Sequence, residues 1–287
     1  MDYLKNPIFN KRRILFLSNL DIEEIKQRIA NFRERARKGM PETELVNELT
    51  AIFGDQFQFG TEQRNYTTGT QFFRARPIPN DDTKIPLKTI SKVGDAWEPP
   101  RAFVKIQGRL NAAGQSILYC CANDPDLAID EARGRNNNHV AVIVYRSTRP
   151  IQVAVLGDYS NSNLAKDELS QVFYSFLDDE FSKFVSEGDE GIYTITRSVA
   201  DTYFTYPEQD AWCYRSVQSP SKFNVAFLPG RQSSCIELTG VMICDLKAST
   251  LGNLSVKFVV DFDKITGFAR YHQIGSAEQK RVFPEIG

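Results

Sequence analysis

The chain has 287 residues, 41% of them hydrophobic, 25% charged and 11% aromatic, ordinary globular proportions that exclude a disordered or collagen-like chain. Thirty-five Lys and Arg against 36 Asp and Glu leave a net charge of −1, so no overall field draws the molecule to nucleic acid or an anionic membrane. Any basic site must be local.

Residues 21 to 38 predict an amphipathic helix. Asp21 and Glu24 have capping-box spacing, Ile22, Ile25, Ile29 and Phe32 recur at helical intervals, and Arg37-Lys38-Gly39 suits a C-terminus. Pro41 opens a second helix, with Leu45, Leu49 and Phe53 on one stripe and Gly54 as its stop. The pair predicts a helical extension over residues 1–58, ahead of a main domain at 59–287. Nine basic and four acidic side chains between Lys11 and Lys38 can be read as a nucleic-acid footprint, but interleaved Glu and missing aromatics favour a solvated helix face. The helices' apolar stripes favour docking on the main domain or on a second copy of it, not on DNA.

Gly60 to Thr70 is expected to be a polar loop. Gln71 to Arg76 alternates like a strand closed by Pro77, and Pro99-Pro100 marks irregular chain. Strands are predicted at 117–121, 139–145 and 151–156, with Asp124-Pro125 opening a short helix that runs to about Arg133. Helices follow at 167–185 and 195–204, then strands at 224–227, 235–243 and 254–261. Strands and short helices without a βαβ rhythm indicate an α+β protein.

Five cysteines, two of them adjacent at Cys120 and Cys121, show neither zinc spacing nor a disulfide framework, and predict reduced thiols in a cytoplasmic protein. With only His139 and His272, a His-rich metal centre or a Ser-His-Asp hydrolase is hard to assemble, and no metal site is expected. Ile14-Leu15-Phe16-Leu17 is too short for a signal-peptide core, and Val140–Tyr145 falls far below the roughly 20 residues of a membrane span.

P-loop, dinucleotide-fold, zincin and nucleophile-elbow motifs are absent. The remaining chemistry is a set of arginines beside turns and strands. Arg74 and Arg76 share a parity on one strand, which makes them either a forked pair for a pyrophosphate or carboxylate or the solvated face of an edge strand. Arg109 sits in Gly108-Arg109-Leu110-Asn111-Ala112-Ala113-Gly114, a ligand loop or a surface turn. Tyr119 on its strand reads as a core aromatic. Glu131, four residues after Leu127 and three after Ala128, falls on the apolar side of its helix and needs a partner there, an arginine first of all.

Taken in order, F-F-R-A-R-P, G-R-L-N-A-A-G-Q-S-I-L-Y, D-L-A-I-D-E-A-R and A-W-C-Y-R-S-V followed by N-V-A-F-L-P resemble the successive motifs of the RES domain family over about residues 70–230. On this resemblance the family's arginine falls on Arg74, its tyrosine on Tyr119, its glutamate on Glu131 and its serine on Ser216, with Ser219 the alternative register. Arg76, Arg109, Asn111, Arg133 and Asn224 are placed around them for substrate binding. The resemblance implies an ADP-ribosyltransferase-like split antiparallel sheet and a toxin-like enzyme that cleaves the nicotinamide–ribose bond of NAD, its substrate and not a cofactor. Water or phosphate would be the acceptor, and a cognate antitoxin a partner. A macromolecular ADP-ribose acceptor and a non-catalytic nucleotide-binding module stay open beside it. Homo-oligomers are possible; no nucleic-acid or membrane partner is expected.

Overall fold

The apolar run Val140–Tyr145 lies in a strand, His139–Ser147, whose residues 140 to 145 are at most 1% exposed. Apolar side chains at consecutive positions require cover on both faces of a sheet. In the computed structural model of the protein, which describes residues 21–53, 62–159, 164, 167–185 and 192–286, this cover is present. Helix Pro125–Glu131 packs Leu127, Ala128 and Ile129 against Val140, Val142 and Val144 on one face. On the other, the Trp97 ring lies 5.3 Å from that of Tyr145, whose hydroxyl donates to Ala96 O.

The elements follow in the order α1 (Ile22–Arg37), α2 (Glu42–Phe53), β1 (Gln63–Tyr66), β2 (Gln71–Ile78), β3 (Tyr119–Ala122), α3 (Pro125–Glu131), β4 (His139–Ser147), β5 (Ile151–Leu156), α4 (Glu168–Ser182), α5 (Tyr193–Tyr203), β6 (Ala211–Arg215), β7 (Phe223–Phe227), α6 (Gln232–Cys235), β8 (Ile236–Thr250), β9 (Asn253–Phe262), β10 (Ala269–Gln273) and α7 (Ala277–Val282). The protein is α+β, as expected. Its strands are hydrogen-bonded in the order β1-β5-β6-β7-β3-β2-β4-β8-β9-β10, and the described pairs are antiparallel.

The join between β2 and β3 positions the site. Strand β2 registers with β4 from Gln71 to Ile78, but with β3 only at Phe72↔Ala122 and Phe73↔Cys121. Past Phe73 the two strands part, so the ten strands form two five-strand halves joined by a short seam. Pro77, expected to close β2, instead lies within it, opposite Val140. A proline donates no ladder hydrogen bond and is tolerated where one side of the strand is open. Strands β1 and β10, which the polar sequences QRNY and ARYHQ concealed, are the two sheet edges.

The chain divides into two compact units, one of Met1–Glu62, Ile106–Ala113 and Val155–Pro207, the other of Gln63–Lys105, Gly114–Ala154 and Glu208–Gly287. The described part of the expected 1–58 extension, residues 21–53, shares its unit with two later stretches. The reason is aromatic packing: Phe53, 1% exposed, meets the rings of Phe173 at 4.9 Å, Phe176 at 5.5 Å and Tyr203 at 5.8 Å. The buried stripe of α1 adds Phe32 at 6.2 Å from Phe176. Arg33 reaches the buried Glu180 at 2.7 Å and Asp179 at 2.9 Å.

Of the six basic residues described in that run, five are paired with acids: Arg33 as above, Lys26 with Glu23, Arg28 with Glu24, Arg35 with Glu44 and Glu48, and Lys38 with Glu34, while Arg37 is exposed. Lys11, Arg12, Arg13, Ile14–Leu17 and Gly54 lie outside the described residues. No described helix is long and apolar enough to cross a membrane.

In the sheet unit, Asp210 accepts from both ends of the Arg149 guanidinium, at 2.8 and 2.7 Å, and from Gln152 N at 3.0 Å. Burial alone would raise its carboxyl pKa; the Arg149 guanidinium and the Gln152 amide outweigh burial, and the net shift is downward. A depressed folded-state pKa gives stability that is present above the unfolded value, about 4, and lost as pH falls through the folded one. Asp210→Asn is expected to cost about 1–2 kcal/mol at pH 7. In thermal melts the gap to the unaltered protein should close as pH falls below about 4.

Candidate active site

A cavity of about 290 Å³ opens where β2 and β3 part. It takes Phe73, Arg74 and Ala75 from β2 and Tyr119, Cys120 and Cys121 from β3. The helix end supplies Ala128, Glu131 and Ala132, and the neighbouring hairpin Tyr214 and Asn224. Residues of both strand parities line one space because the ladder has stopped there.

Helix α3 is built to deliver Glu131. Asp124 caps it by accepting from Leu127 N at 2.8 Å, Pro125 fills the first turn, and the buried side chains of Leu127 and Ala128 turn the same face, and so Glu131, inward. Two non-glycine residues in left-handed conformation, Asn123 (φ 54°) and Arg133 (φ 52°), bracket the helix. For arginine this backbone costs roughly 1–2 kcal/mol.

The Glu131 carboxylate is held by neutral donors, not by the arginine expected for it. Ser216 Oγ donates to Oε1 at 2.5 Å and Asn224 Nδ2 to the same oxygen at 2.8 Å. Among the described residues no donor is bonded to Oε2. Ser216, 2% exposed, is itself fixed: its Oγ accepts from the amides of Gln218 and Ser219, both at 3.0 Å. The turn after β6 thus aims the hydroxyl proton at Glu131. Ser219 contributes only its backbone amide to this cluster.

Arg74 lines the cavity beside Cys120 and Tyr145, and its Nη1 is buried with no hydrogen-bond partner among the described residues. An unpartnered buried cationic donor costs more than the roughly 1–3 kcal/mol of a neutral one, and an anion bound there would relieve it. Arg76 departs from the pairing expected of it. Its Nη1 donates to Asp95 O at 3.3 Å and stands 3.8 Å from Asp95 Oδ1. Burial, then the Arg74 guanidinium, lowers its pKa, with Asp95 pulling the other way.

Three further candidates make their contacts elsewhere or are exposed. Arg109 and Asn111 belong to the helical unit. Arg109 donates from Nη1 to Glu180 O at 3.2 Å and from Nη2 to Lys183 O at 2.8 Å, closing the C-terminus of α4, where a positive charge is favoured. Asn111 Nδ2 donates to Ala112 O at 3.1 Å. Arg133 is exposed on its left-handed turn and is not part of the lining. Tyr119 lines the cavity as a partly buried side chain.

Tyr214 and Cys121 were not expected in the site. Tyr214 has the parity of Ser216 and lies opposite Asn224, and Cys121 lies opposite Asn224 on the other side, so the strand register contained the signal. All five cysteines are free and buried.

An antiparallel sheet parted over a fixed carboxylate, with the buried Nη1 of Arg74 in the same cavity, defines the α+β architecture of this protein. The sequence model of the RES domain family matches residues 91–242, more than half of the chain, and the protein belongs to that family. Tyr119, Glu131, Ser216 and Asn224 fall inside the match, and Arg74 lies upstream of it. No curated protein matches the chain.

Proposed function

We propose that this protein cleaves the nicotinamide–ribose bond of NAD, passing the ADP-ribosyl group to water or phosphate. The observation that carries the reading is the Glu131 carboxylate, held through Oε1 by Ser216 and Asn224 with Oε2 left over, in one cavity with the unpartnered Nη1 of Arg74. Membership of the RES domain family, linked with NAD and toxin-like activity, supports it and supports restraint by an antitoxin. The short seam between the sheet halves is what an ADP-ribosyltransferase-like split sheet calls for.

As the bond from ribose C1′ to nicotinamide breaks, its electron pair leaves with the neutral base and positive charge develops on the ribose. A carboxylate fixed beside that charge stabilises it more in the transition state than in the ground state. Glu131 has that role, with Oε2 toward the ribose, and Ser216 and Asn224 keep it from turning away. Arg74 grips the pyrophosphate, and Tyr119 packs on the nicotinamide riboside. Water or a phosphate oxygen then attacks C1′; with water the products are ADP-ribose, nicotinamide and a proton. The cavity is at the small end of ligand pockets, about 300–1,000 Å³, and suits the reacting end of the dinucleotide.

Incubating the purified protein with NAD, with and without phosphate and with no macromolecule present, tests this. Release of nicotinamide with ADP-ribose or its 1-phosphate is expected. Intact NAD overturns the reading, and binding without turnover makes the site a nucleotide-binding module. Arg74→Lys is expected to raise KM about tenfold with a smaller loss in kcat, because an ammonium cannot reproduce a forked grip on pyrophosphate. Steady-state kinetics check this, and an unchanged KM removes Arg74 from substrate binding.

A further inference from the structure

Cys121 stands in the cavity wall with no part in the chemistry above. In the β3–β7 register it is directly opposite Asn224, so the two side chains leave the sheet on one face. Its Sγ donates to Asn224 Oδ1 at 3.2 Å, and both residues are buried, 2% and 5% exposed. Burial, with Cys120 and the Glu131 carboxylate adding to it, pushes the thiol's pKa upward, so the sulfur keeps its proton and remains a donor.

The donor matters because the two ends of an asparagine amide are nearly equal in shape and opposite in polarity. Turned end over end, Asn224 would set Oδ1 against the Glu131 carboxylate, acceptor facing acceptor. With the S–H on Oδ1, only one orientation satisfies both contacts: the observed one, in which Nδ2 donates to Glu131 Oε1 at 2.8 Å.

We propose that Cys121 is a positioning residue of this site, its thiol locking the Asn224 amide in the sense that donates to Glu131. It acts through Asn224 and touches no substrate. The kinetic half of the proposal rests on the NAD-cleaving reading above; the orientation of the amide does not.

The test compares Cys121→Ser, which keeps a donor, with Cys121→Ala and Cys121→Val, which lack one and respectively empty and fill the sulfur's volume. The donor-less variants are expected to lose about threefold to tenfold in kcat, the scale of one hydrogen bond, with KM within about twofold, and the serine variant to recover most of the loss. In 15N-labelled protein without NAD, solvent exchange of the Asn224 side-chain NH2 should quicken about tenfold in the donor-less variants and stay near the original rate in Cys121→Ser, as for any opened hydrogen bond. Unchanged kcat and exchange in both donor-less variants, or equal losses in all three, overturn the proposal. If the unaltered protein leaves NAD intact, the functional reading fails, and the exchange measurement alone decides for or against Cys121.

Discussion

Glu131→Gln is expected to lower NAD turnover about 100-fold or more, the usual loss when one preorganised electrostatic contact to a transition state is removed. The substitution keeps the size of the side chain and an oxygen to accept from Ser216 and Asn224, so the cluster and the fold persist. What it removes is the charge that faces the developing cation, and the loss should therefore appear in kcat more than in KM. Initial rates of nicotinamide release, with a melting temperature to show that the variant is folded, are the measurement. Near-normal turnover would take Glu131 out of the mechanism.

The second large effect is on stability. Phe53→Ala should destabilise the helical unit by about 3–5 kcal/mol, the range for deleting a buried aromatic ring. Three ring contacts, to Phe173, Phe176 and Tyr203, are lost at once, and the site is nine-tenths or more enclosed, leaving a cavity that the surrounding helices cannot fully close. A thermal or urea melt reads it directly. Removing residues 1–58 altogether uncovers the same faces of Phe173 and Phe176 and should give aggregation, since an apolar surface of that kind does not stay free in water.

The helices and the central strand were legible because local signals and long-range packing agree there. Asp21 starts α1 as expected, although it accepts from Glu23 N at 2.9 Å instead of forming the capping box with Glu24, which pairs with Arg28, and the run Val140–Tyr145 is the buried strand its composition required. Legibility failed where a residue's task is set by chain far away. Glu131 was recognisable as an inward carboxylate, but its partners are 85 and 93 residues distant, and physical reasoning supplied arginines where the fold supplies Ser216 and Asn224. Only the order of family motifs pointed to those two. Arg109 looked like a ligand residue because glycines flank it, and nothing nearby indicated the end of a helix more than 70 positions on. Edge strands β1 and β10 carry too few apolar residues to alternate.

The parting of β2 from β3 has a consequence for the backbone as well as for the side chains. An interrupted ladder leaves N–H and C=O groups along β2 past Phe73 that no described strand consumes on that side. On an outer edge such groups invite another chain to pair and are a hazard. On the NAD-cleaving reading proposed above, such groups between the two halves of the sheet would offer main-chain hydrogen bonds to an elongated polar substrate, whatever residues line the walls. On the same reading, side chains such as Arg74 and Glu131 decide which substrate is held and what happens to it, and the seam of two residue pairs keeps the two halves joined beside the cavity.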